Sequence, residues 1–225
     1  INISNNTISG NSSPTYGGLH LNFEIRGSEP GGLGFHGNTI TGNGGNQGIE
    51  AGGNLFITGN TITDNIGQGI RVYSDDVVLV DNNLIKGNAA GEGAGIWAEA
   101  RSTSGPDSAY GNITISNNRI IDNTASSKAG GIFGQANSGS TLSIQNNILH
   151  GNSSTNSSDT KGGAALWLFD LSGNLSVTQN TITGSSGLST ISVGCRRAYD
   201  GADCNDSSPP AVPTINNNNI FNNST

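Results

Sequence analysis

Apolar residues alternate one by one with Ser, Thr and Asn in short runs, as in Ile113-Thr114-Ile115 and Leu175-Ser176-Val177. A period of two belongs to a strand with one buried face. No stretch shows the 3.6-residue period of an amphipathic helix. The runs are parts of one phrase: apolar residue, two positions, Asn, one position, apolar residue, two positions, Asn. Its markers are Asn6, Asn38, Asn60, Asn83, Asn118, Asn147, Asn180 and Asn218. Three before them stand Ile3, Phe35, Ile57, Val80, Ile115, Ile144, Val177 and Ile215. Two after them stand Ile8, Ile40, Ile62, Ile85, Ile120, Leu149, Ile182 and Ile220. Five after them come Asn11, Asn43, Asn65, Asn88, Asn123, Asn152 and Asn223, with Ser185 as the departure.

Successive markers lie 32, 22, 23, 35, 29, 33 and 38 residues apart, so the shortest interval sets one coil and the longer ones carry insertions. Repetition of a fixed phrase predicts a stacked architecture. The fold expected is all-β: a parallel β-helix of about eight coils, each made of short strands joined by tight turns. At the strand spacing this gives a rod about 40 Å long. An amide at the same place in every coil carries both donor and acceptor, so the marker side chains are expected to bond up and down a ladder. Asn also tolerates the left-handed backbone of a sharp corner.

On these markers and their flanking aliphatics the chain resembles the right-handed parallel β-helix proteins of the pectate-lyase-like superfamily, along its whole length. A second phrase appears as Gly17-Gly18-Leu19, Gly48-Ile49, Gly69-Ile70, Gly95-Ile96, Gly130-Gly131-Ile132 and Gly162-Gly163-Ala164. It is similar to the Gly-Gly-apolar element in the passenger domains of polymorphic outer-membrane adhesins.

The 225 residues suit one solenoid domain over 1–225 and no second globular unit. Hydrophobic content of 32% is low, yet it is concentrated at inward positions, so order comes from periodicity. The chain has no Met, which makes Ile1 a processed or cut end and an exported protein the expected reading. No apolar run is long enough to cross a membrane as a helix. Net charge is −7 with 11% charged residues and no basic patch, which argues against nucleic acid as a partner. Sequons occur at Asn11, Asn112, Asn152, Asn156, Asn174 and Asn205; those in insertions suit glycan attachment, and those at coil corners suit the ladder. Cys195 and Cys204, the only cysteines, bracket a charged loop holding Arg196, Arg197, Asp200 and Asp203. They are read as a disulfide staple of an insertion at 194–213, contributing roughly 2–3 kcal/mol.

The superfamily resemblance implies polysaccharide lyases and hydrolases as relatives. Hydrolases of that kind need carboxylates about 5 to 9.5 Å apart and, by the resemblance, a His in a Gly-His-Gly setting. Asp75-Asp76 is the nearest pair, but neighbours on a strand point to opposite faces, so a turn is the better reading. His20, His36 and His150 fall in unrelated coils. No catalytic residue, metal ligand or cofactor site is assigned.

The strand after the glycine corner puts Glu50, Arg71, Tyr73, Trp97, Glu99, Arg101, Phe133, Trp167 and Phe169 on one exterior face. Tyr73, Trp97, Glu99, Arg101, Phe133, Trp167 and Phe169 form the expected contact ridge, for a protein or a glycan. No helical cap is readable at either end, and open edges in register invite head-to-tail association. The leading expectation is therefore an extracellular or cell-surface structural solenoid that self-associates into a filament. An adhesin or carbohydrate-binding segment is the second reading, and a polysaccharide lyase or glycoside hydrolase the third.

Overall fold

The computed structural model describes residues 1–13, 18–22, 32–103, 109–155, 163–171, 173–195 and 213–224. Successive phrases wind as coils, and every pairing between its strands is parallel. One eight-stranded sheet starts with Asn2–Ser4 and ends with Thr214–Asn216. A second eight-stranded sheet runs from Thr7–Ser9 to Asn219–Phe221. The third carries the segments after the second Asn of each phrase.

Period two decides the inside. In the first sheet Phe35, Ile57, Val80, Ile115, Ile144 and Val177 stack fully buried; in the second, Ile40, Ile62, Ile85, Ile120, Leu149 and Ile182 do the same. Ile49, Ile70, Ile96, Ile132 and Leu166 close the third side. Each is in register with the next coil's equivalent, which makes the core a set of axial aliphatic columns.

The first asparagine column forms a continuous ladder and the second one interrupted once, and backbone as well as side chain takes part. The Oδ1 of Asn118 accepts the backbone N–H and the Nδ2–H of Asn83, both at 2.9 Å. The Nδ2 of Asn118 then donates at 2.9 Å to the carbonyl of Val80. The same triangle recurs from Asn38 to Asn60 and from Asn147 to Asn180. In the second ladder Asn88 gives both N–H groups to Asn123 at 3.0 Å. The left-handed residue at the first corner is not the marker but its predecessor: Asn5, Asn82, Asn117, Asn146, Gln179 and Asn217 have φ of 54–59°, with glycine at 37 and 59. The marker instead satisfies the backbone groups that the corner frees.

Ser185 breaks the second ladder. It is fully buried with its hydroxyl lacking a hydrogen-bond partner, and its short side chain offers no amide oxygen to Asn152.

Gly48, Gly69, Gly95 and Gly131 have ordinary backbone angles; they are glycine because the coils approach too closely there for a Cβ. On Gly95 a Cβ would lie 2.6 Å from the Gly131 carbonyl oxygen and 2.7 Å from Ile120 Cγ2.

The third sheet bends. Gly44–Gly52 and Ile66–Ser74 run unbroken through the bend. In the next coils it splits them, as Ala89–Glu92 and Ile96–Ala100, then Thr124–Lys128 and Ile132–Asn137. The two halves thus face each other across an outer angle, where the candidate site lies. Residues 196–212, including Cys204 and the charged loop, and the side chain of Cys195 lie outside the described residues, as do Asn156 and Asn205.

Candidate functional site: a cleft beside an aromatic ladder

Register along the outer face of the third sheet aligns His20, Glu50, Arg71, Trp97, Phe133, Trp167 and Ser192 in one column. A parallel column holds Tyr73, Glu99, Gln135 and Phe169. All these side chains lie outside the aliphatic core.

Their exposure is another matter. Phe133 and Trp167 are 2% exposed and Phe169 is 5% exposed, so the aromatic part of the expected contact ridge is buried. The rings stack on one another: Trp97 on Phe133 at 5.5 Å, Phe133 on Trp167 at 5.1 Å, and Trp167 on Phe169 at 5.3 Å. Ala129 packs into this cluster, and Lys128 sets its ammonium 4.6 Å from the Trp167 ring centre. On the far side the indole leans over Gly194, where a Cβ would sit 2.7 Å from Cζ2. Strand spacing suits face-to-face stacking along the axis, and the segment ending at Lys128 and Ala129 flanks the stack.

Trp97 is the half-buried end of the ladder. Phe133 covers one face of its indole, and the Arg71 guanidinium lies 4.9 Å from the ring centre on the side of the preceding coil. Only the indole edge is left for a partner. Tyr73, Glu99 and Arg101 are half-buried and tied to each other, with Arg101 at 2.9 Å from Glu99 and 4.5 Å from the Tyr73 ring.

Beside Trp97 the bend forms a cleft of about 570 Å³. Gln47, Gln68 and Glu92 come from one half of the sheet, and Arg71 and Trp97 from the other. Ile66, Ala89 and Ala90 form an apolar rim. Gln68 donates its amide at 3.1 Å to the Glu92 carbonyl, which leaves its own side-chain oxygen as an acceptor. Glu50, 5% exposed, pairs with Arg71 at 3.5 Å and with His20 at 3.4 Å. Glu92 pairs with Lys128 at 3.2 Å. Sequence reasoning missed Gln47, Gln68, Glu92 and Lys128. A signal for the first two exists: Gln-Gly-Ile recurs at 47–49 and 68–70, in consecutive coils.

The remaining candidates do not converge. Asp76 accepts the Val77 N–H at 2.8 Å and donates its own to Ser74 Oγ at 2.9 Å, the turn expected for this pair. His36 bonds Thr58, while His150 is exposed and four or more coils from either other His. Among the described residues no group of three or more His, Cys, Asp or Glu is placed to hold a metal ion. No helix among them is long and apolar enough to cross a membrane. Of the described sequons, Asn11 and Asn152 are ladder members, the first exposed and the second buried, whereas Asn112 and Asn174 are exposed at strand starts.

The family model for a right-handed beta helix region matches residues 1–182, most of the chain. The chain belongs to the right-handed β-helix family. No curated protein and no solved structure matches it significantly. In this β-helix protein the family features, the coils and ladders, are structural, and the cleft is built from side chains outside the repeated phrase.

Proposed function

We propose that this β-helix protein is an extracellular or cell-surface rod that binds carbohydrate in the cleft at the bend of its third sheet. The cleft itself carries this reading. It has the size class of a small-ligand site and combines planar amide and charged groups on its floor with an aliphatic rim at Ile66, which is 68% exposed. Hydroxyls need such paired donors and acceptors, and the C–H face of a sugar ring needs an apolar wall. The aromatic ladder supports the site as a rigid wall and not as a stacking platform, since its ring faces are already engaged.

The expected result is retention of the chain on at least one immobilised glycan of a broad array. Gln68→Ala should weaken that binding about tenfold, the loss of one good hydrogen bond, with the melting temperature unchanged. A protein that binds nothing on the array removes the reading.

A second reading is head-to-tail self-association into a filament. It is supported by the common parallel register of the coils, in which Ile220 of Asn219–Phe221 continues the inward column of Ile182 and is 46% exposed. A further coil, from whatever chain, would cover Ile220. Growth of end-to-end particles with concentration in electron micrographs is expected on this reading; a fixed monomer in size-exclusion chromatography at high concentration removes it.

A further inference from the structure

Building on the carbohydrate reading, we infer that the cleft takes an uncharged glycan, holding a vicinal pair of hydroxyls through Gln68, Arg71 and Glu92, and that it discriminates against uronate polymers. The charges of the cleft are already committed to one another. Arg71 is the cation on its floor, and its Nη1 lies 3.5 Å from the Glu50 carboxylate. Gln47, itself 5% exposed, reinforces that pair: with its amide nitrogen toward Glu50 at 3.3 Å, its oxygen meets Arg71 Nη1 at 3.1 Å. The other charge, Glu92, is matched by Lys128 at 3.2 Å.

In each pair the partner behind the floor is buried, Glu50 at 5% and Lys128 at 4% exposure. Neither can turn to solvent and release its counter-charge to a ligand. A sugar carboxylate entering the cleft would shed water and find no unmatched cation, a transfer that costs affinity. The chain's net charge of −7 adds long-range repulsion against a polyanion.

Hydroxyls meet the opposite situation. Gln68 keeps its side-chain oxygen as an acceptor, and the second oxygen of Glu92 accepts as well. The guanidinium of Arg71 keeps its Nη2 donors for a ligand, since Glu50 and Gln47 engage Nη1 and Nε is buried. A hydroxyl that donates to one side and accepts from the other satisfies both walls, and two adjacent hydroxyls span them. The apolar rim of Ile66, Ala89 and Ala90 then lies against the ring carbons.

The test titrates the intact chain calorimetrically with size-matched oligosaccharides. One set is neutral (gluco-, manno- and xylo-oligosaccharides), and the other is made of uronates. At least one neutral series is expected to bind about tenfold or more tighter than any uronate. Glu50→Gln, which leaves Arg71 without its carboxylate, should raise uronate affinity about tenfold, with an unchanged circular dichroism spectrum confirming the fold. If that variant does not fold, the wild-type comparison decides alone. Uronates binding as tightly as neutral sugars would overturn this inference and leave the carbohydrate reading standing. A folded Glu50→Gln with no gain would overturn the charge argument. Binding of neither class would remove the carbohydrate reading itself.

Discussion

Asn118→Ala, in the middle of the first ladder, is expected to lower the unfolding free energy by about 4 kcal/mol. The change removes one oxygen and one nitrogen but strands three buried groups. The backbone N–H and Nδ2–H of Asn83 lose their shared acceptor at 2.9 Å, and the Val80 carbonyl loses its donor. Each buried orphan costs about 1–3 kcal/mol. Asn6→Ala is the control: Asn6 is exposed, and its oxygen accepts from no earlier coil among the described residues, so a loss near zero is expected. The same logic predicts a gain at the one defect. Ser185→Asn offers an oxygen to both N–H groups of Asn152 while keeping the 2.9 Å bond from its own N–H to Asn223. It should stabilise by about 1 kcal/mol. Urea unfolding of the three variants measures all of these; an Asn118→Ala loss no larger than that of Asn6→Ala would mean that the ladder carries no stability.

Gly95→Ala should be the other severe change, lowering stability by about 3 kcal/mol and the melting temperature by roughly 10 °C. The expected cause is space and not backbone angle. The new Cβ would sit 2.6 Å from a carbonyl oxygen of the next coil and 2.7 Å from Ile120 Cγ2, so two coils must separate or the strand must shift. Backbone cannot give way as a flexible side chain does. Gly91→Ala tests this account, because a Cβ there meets nothing within 4 Å and should be harmless. Equal losses in both variants, read by calorimetry, would point to glycine's intrinsic strand behaviour in place of coil contact.

Much of the fold is legible in the chain because its determinants repeat. The alternation around Ile115 and Ile144 names inward positions without reference to any other coil, and the recurring Asn118 and Asn147 name the corner. What is less legible is how each amide is used. The backbone N–H of Asn83 as a ladder donor, and Asn82 as the left-handed residue, follow only from coil-to-coil geometry. The candidate site is legible in part. Trp97, Arg71 and Glu50 stand on the predicted outer face, but the cleft also needs Gln68 and Glu92, which belong to the half of the sheet before the glycine corner.

The sequence by itself determined which residues point inward and which outward, since a side-chain period of two and a fixed phrase are local properties of the strand. Only the tertiary structure decided which outward residues meet solvent. Phe133 and Trp167 are covered because the stacking of successive coils brings rings, Lys128 and Gly194 from different coils together. Contact between coils depends on how the longer segments pack over the sheet, and no periodicity within a strand encodes that.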